Sequence, residues 1–165
     1  MSVDYIELAR ALSRSEFVRQ HGGHFLLKRA KIAPDSEPPP SFDFETVTTQ
    51  VGIDPFADQW QVLPVVKRPE NPFPERMTVG RAVNCDLVLR VPFVSKVHAH
   101  ILVSEDGGYS LHDNRPSHAT FHNRTKLEPG ATCPLAVGDF IGFGSLEFEF
   151  VDADRLHQIL CAEAF

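Results

Sequence analysis

The sequence predicts an all-β fold, an antiparallel β-sandwich with a short N-terminal helical extension and a possible C-terminal helix. Three observations predict it. Leu146, Phe148 and Phe150 alternate with Glu147 and Glu149, and Val97, Ala99, Ile101 and Val103 alternate with His98, His100 and Leu102. That period of two buries one face of a strand and wets the other. Turn signals such as Asp106-Gly107-Gly108, Pro129-Gly130 and Gly138-Asp139 punctuate these runs, as in sandwiches and small barrels. Finally, no helix-length segment interrupts residues 57–151, which argues against parallel βαβ architecture.

The elements follow in chain order. Residues 4–20 read as two short helices or one broken helix, because Asp4/Glu7 and Ser13/Glu16 both have capping-box spacing. Tyr5, Leu8, Ala9 and Leu12 give that region one apolar face. Gly22-Gly23 ends it, and His24 to Leu27 follow as a short strand. Prolines 34, 38, 39 and 40 make residues 31–45 a stiff spacer. Glu45 to Thr49 suit an edge strand or tail. Trp60 to Val66 and Leu87 to Leu89 are β-branched or apolar runs of strand length. Residues 154–164 suit a terminal helix with Leu156, Ile159 and Leu160 inward. The expected organisation is a helical extension at 1–30, a Pro-rich linker or tail at 31–56, the sandwich at 57–151 and a C-terminal helix at 152–165.

Composition excludes several functions. The 165 residues carry a formal net charge of −6, which repels nucleic acid and anionic membranes. The three cysteines, Cys85, Cys133 and Cys161, are widely spaced and form no CxxC pair, so reduced thiols are expected rather than zinc or a disulfide framework. The first residues lack a basic, apolar leader and no apolar run reaches membrane-spanning length, so a cytoplasmic location is expected. No cofactor or metal is called for. The pairs His21/His24, His98/His100 and His118/His122 lack a matching cysteine or carboxylate set. Ser95, His98 and Asp113 are the residue types of a hydrolase triad, but no Gly-x-Ser-x-Gly elbow is present.

The chemistry concentrates between Val79 and Asn123. Gly80-Arg81, Ser95-Lys96-Val97-His98 and Pro116-Ser117-His118-Ala119-Thr120-Phe121-His122-Asn123 place cations and hydroxyls where strands give way to loops. A phosphorylated threonine presents about −1.5 to −2 charges and three acceptor oxygens. A guanidinium fork, an ammonium, a hydroxyl and backbone N–H groups are what hold it.

In that order the motifs resemble the forkhead-associated (FHA) domain, an FHA/SMAD-like sandwich whose loops bind phosphothreonine peptides. The later Leu135-x-x-Gly138-Asp139-x-Ile141-x-Phe143-Gly144 looks like the family's closing strands. The resemblance covers roughly residues 57–151 and implies a non-enzymatic reader of phosphothreonine proteins in Ser/Thr-kinase signalling. It implies Arg81 as principal phosphate ligand, Ser95 and Lys96 as further phosphate contacts, and Ser117 and His118 on the peptide. Gly80, His98 and Asn123 would support the binding loops.

The sequence departs from the family at three positions. His118 replaces the asparagine that would bond the peptide backbone, and imidazole cannot reproduce a carboxamide's donor–acceptor pair. Ala119 and Arg124 stand where the family has glycines, so a left-handed backbone at 119 would strain Ala119. These departures define the alternative, a phosphate-independent scaffold of the same fold. Thr46, Thr48 and Thr49, in the acidic stretch before the sandwich, suggest a second use of the surface: binding of the chain's own phosphorylated tail.

Overall fold

The computed structural model describes residues 5–28, 61–116, 118–144 and 146–163. Trp60, Ser117 and the stretch from 29 to 59, with its threonines, lie outside the described residues. Two short helices open the chain, α1 (Tyr5–Ala11) and α2 (Arg14–Gln20). Ser13 separates them by capping α2: its hydroxyl accepts from the Glu16 amide, and the Glu16 carboxylate accepts from the Ser13 amide, each at 3.3 Å.

Among the described residues eleven strands follow, in two sheets. The six-stranded sheet runs in the order β2 (Gln61–Pro64), β1 (His24–Lys28), β11 (Leu146–Asp152), β10 (Phe140–Phe143), β7 (Thr120–His122) and β8 (Thr125–Lys126). The five-stranded sheet runs β4 (Leu87–Val88), β3 (Arg76–Gly80), β5 (Ala99–Val103), β6 (Tyr109–Asp113) and β9 (Thr132–Leu135). Strand pairing is antiparallel except between β3 and β4, which run parallel. The return loop behind that pairing is pinned by Asp86, whose carboxylate accepts from the Arg68 amide at 2.7 Å and the Thr78 amide at 2.8 Å. The fold is the expected sandwich with short terminal helices.

Strand β1 lies between β2 and β11, so residues 24–28 of the N-terminal segment are an interior strand of the sheet. Its alternation serves two cores. Leu26, opposite Phe150, faces the other sheet with Phe148, Ile141, Val79 and Ile101. Phe25 and Leu27 face the other way, onto Val151, Phe17, Leu156 and Leu160. This second core is covered by α1, α2 and α3 (Ala153–Glu163), so β1 and β11 are buried on both faces. Each such fully buried Leu or Phe contributes about 1.5–3 kcal/mol relative to an exposed one. Arg14 pairs with Asp154 and the His157 ring bonds the Leu12 carbonyl at 3.1 Å, which fixes the helices to one another.

Candidate phosphate-binding loops

The register places four chain segments at one end of the sandwich. β3 ends at Gly80, β5 begins at Ala99 opposite Val79, and β6 ends at Asp113 opposite Ala99. In the other sheet, β7 begins at Thr120 opposite the last residue of β10, Phe143. The loops after β3, before β5, before β7 and after β10 therefore share that end.

Gly80 decides how closely the first two loops approach. A Cβ on it would overlap the Lys96 carbonyl oxygen and lie 2.9 Å from the Ser95 carbonyl oxygen. With glycine there, Arg81 N–H donates to the Ser95 carbonyl at 2.9 Å and Ala82 N–H to the Lys96 carbonyl at 3.1 Å. The two backbones are stitched together, and the side chains of Arg81 and Lys96 project exposed from adjoining segments, with Ser95 partly buried beside them. Among the described residues no carboxylate pairs with Arg81 or Lys96.

His98 joins this pair to the third loop. Its Nδ1 accepts from the Ser95 amide at 3.2 Å, so the ring proton sits on Nε2 and points at the Ala119 carbonyl, 3.3 Å away. The ring is fully buried and meets Phe143 edge-on at 5.6 Å between centroids. Burial, foremost, holds its pKa below the ordinary histidine value; the Ala119 carbonyl and Asp113 oppose that shift, and His118 adds to it. A neutral His98 is what this geometry requires, since a protonated Nδ1 cannot accept from Ser95.

The third loop carries His118, exposed, next to Ala119. Ala119 does not adopt the left-handed conformation expected to strain it; in this loop Arg115 does, with φ 52°. The Ala119 carbonyl instead accepts from the Gly144 amide at 2.8 Å, which ties the loop to the turn after β10. Ser117, the other residue assigned to the peptide, lies outside the described residues. Asn123 is not with these loops. It occupies the β7–β8 turn at the opposite end of β7, where its Oδ1 accepts from the Phe140 amide at 2.8 Å.

Two further residues hold the loops, a role the sequence did not assign to either. Asp113, buried, accepts through Oδ2 from the Arg115 and Gly130 amides, both at 3.1 Å. Asn114 donates from Nδ2 to the Val97 carbonyl at 3.1 Å and from its amide to the His98 carbonyl at 3.2 Å. The Asp-Asn pair after an apolar strand was the available signal, since both residues readily bond nearby backbone.

The family model described as FHA domain matches residues 77–144. Human kanadaptin is 36% identical over 75 residues, a match covering 39% of this chain and 10% of kanadaptin. Among solved structures, Mycobacterium tuberculosis EmbR in complex with a low-affinity phosphopeptide is 27% identical, with a TM-score of 0.43, over 47% of this chain and 20% of that one. The N-terminal FHA domain of S. cerevisiae Rad53p, in complex with a phosphothreonine peptide, is 22% identical, with a TM-score of 0.45, over 81% of this chain and 97% of that one. The chain thus spans a small part of kanadaptin and of EmbR. The family match runs from β3 to the Gly144 turn, so the part of the chain that is similar to the FHA domain is the part that supplies the stitched loops.

Proposed function

We propose that the protein docks phosphothreonine-containing partners in Ser/Thr-kinase signalling, in the cytoplasm, without catalysing a reaction. The observation that carries this reading is the pair of backbone bonds from Arg81 and Ala82 to Ser95 and Lys96, which sets an exposed guanidinium beside an exposed ammonium. In this reading Arg81 forks onto the phosphate, Lys96 adds a point charge and Ser95 supplies a hydroxyl. His98 keeps Ser95 in place from below, and His118 faces the peptide next to the phosphothreonine. The FHA match supports the same role, since FHA domains are generally non-catalytic binding modules. A few charge-assisted bonds of ~1.5–3 kcal/mol each correspond to affinities of about micromolar.

The test is titration of a phosphothreonine peptide pool, its unphosphorylated twin and a phosphoserine pool against wild type and Arg81→Ala. Binding that requires phosphothreonine and is lost in the variant, at a cost of ~2–5 kcal/mol, is expected. A second reading, the phosphate-independent scaffold, is favoured by His118 in place of the family's asparagine. Folded wild type that binds no phosphopeptide would select it.

A further inference from the structure

A groove of about 500 Å³ opens on the outer face of the five-stranded sheet. Thr78 and His100, partners across β3 and β5, form its floor, and Phe73 with Arg76 flank it. Asn84 and Val97 lie at the side nearest the phosphate-binding loops. Asn84 belongs to the loop that Arg81 begins, and Val97 directly follows Lys96. The groove therefore continues the proposed binding surface.

Its charges are unevenly engaged. Asp86 accepts from the Arg68 amide and from Asn71 and Thr78, at 2.7–3.1 Å. Glu70 stands 3.6 Å from the Arg68 guanidinium. Arg76, in contrast, lies over the Phe73 ring at 4.2 Å, and His100 stacks on His112 at 5.8 Å between centroids. Among the described residues no carboxylate pairs with either one. Both side chains line the groove, and burial, then the charges of Arg76 and His112, holds His100 below its ordinary pKa. A groove with an unpaired guanidinium and an unbonded imidazole suits a carboxylate guest.

We propose that this groove receives the segment flanking the phosphothreonine, and that Arg76 and His100 select an acidic side chain within it. The proposal rests on the phosphothreonine reading above and narrows it to partners with an acidic flank. The reach is suitable: from Arg81 back along β3 to Thr78 and Arg76 is roughly 10–17 Å at about 3.3 Å per residue, a span an extended peptide covers in a similar number of residues.

The experiment compares two phosphothreonine peptides, one with a glutamate-rich flank and one with glutamine in its place, on wild type, Arg76→Gln, His100→Gln and Arg81→Ala. Wild type is expected to prefer the acidic peptide by roughly fivefold. The ratio should fall toward one in Arg76→Gln and His100→Gln, while Arg81→Ala loses both peptides. A ratio as large in Arg76→Gln as in wild type would overturn the assignment. A wild type that binds neither phosphopeptide defeats the underlying reading, so the groove has its own readout. The His100 ring resonances are followed during titration with an unphosphorylated glutamate-rich peptide. Movement in wild type that is absent in Arg76→Gln supports the groove independently; no movement there, together with no flank preference, refutes it.

Discussion

Gly80 runs against the backbone of Lys96 with no space for a Cβ between them: that atom would lie 2.8 Å from the Lys96 carbonyl carbon and overlap its oxygen. The contact is between two backbones, so no side-chain rotation relieves it. Gly80→Ala should therefore push the Ser95–Lys96 segment away and break the bonds from Arg81 and Ala82. Overpacking of this kind costs about 1–3 kcal/mol. Urea unfolding should report that loss, and phosphopeptide affinity should fall with it. Unchanged stability and affinity in Gly80→Ala would show that the loops approach less closely than described.

The buried His98 predicts how stability depends on pH. Its folded pKa is depressed, so the folded state resists protonation. As pH falls below the unfolded value of about 6.5, the unfolded chain takes up a proton that the folded chain refuses, and stability drops until the folded pKa is reached. Stability contributed by His98 is thus present above about pH 6.5 and lost on acidification. His24 and His100 are depressed as well, mainly by burial, and add in the same direction. Unfolding free energies measured between neutral and mildly acidic pH should decline in wild type and decline less in His98→Gln. Parallel curves for the two proteins would remove His98 from the account.

The β7–β8 turn contains a correctable strain. Asn123 and Arg124 both have positive φ, 50° and 66°, and link the paired residues His122 and Thr125 in a two-residue hairpin turn. Asn123 suits the first position, but arginine in the left-handed region costs roughly 1–2 kcal/mol. Arg124 recovers some of this by lying 3.4 Å from Glu147, but at 75% side-chain exposure that pair contributes little. Arg124→Gly should raise stability by about 0.5–1 kcal/mol. Arg124→Ala, which loses the pair and keeps the strain, should not. Thermal unfolding of both variants separates strain from charge.

Local pattern made part of this fold legible and left part of it hidden. The Ser13/Glu16 box and the apolar face of α3 are read from neighbours a few residues apart, and both appear as expected. The alternation in β11 holds only in part: Leu146, Phe148 and Phe150 are buried and Glu147 is exposed, but Glu149 is buried too, beside Arg155 at 3.3 Å, because the helices cover that face. Strand β9 carries Pro134, which argues locally against a strand; it is tolerated because β9 is a sheet edge, as is β2 with Pro64. The place of β1 between β2 and β11 depends on pairing across the whole of residues 29–60 on one side and with residues more than a hundred positions away on the other, which no local period encodes. The site shows the same division. The stretch from Gly80 to Lys96 could be read directly as adjoining motifs, whereas the left-handed backbone of the third loop falls at Arg115 rather than Ala119 because Asp113 binds the Arg115 amide.

Thr120 offers a test, from inside, of the end of the sandwich proposed to bind phosphothreonine. It begins β7 beside Ala119, is fully buried, and its hydroxyl has no hydrogen-bond partner among the described residues. A buried, unpaired hydroxyl forfeits its hydration without return, at about 1–3 kcal/mol. Valine has nearly the same shape and no polar atom, so Thr120→Val should leave stability unchanged or raise it by about 1 kcal/mol. The third loop should keep its position, because its fixed points are the Ala119 carbonyl bonds to His98 and Gly144. Denaturation and phosphopeptide titration on the one variant read both consequences. A loss of stability above about 1 kcal/mol would mean that the hydroxyl has a partner in solution, such as an ordered water, and that this end of the sandwich is held by a bond in addition to those of His98 and Asp113.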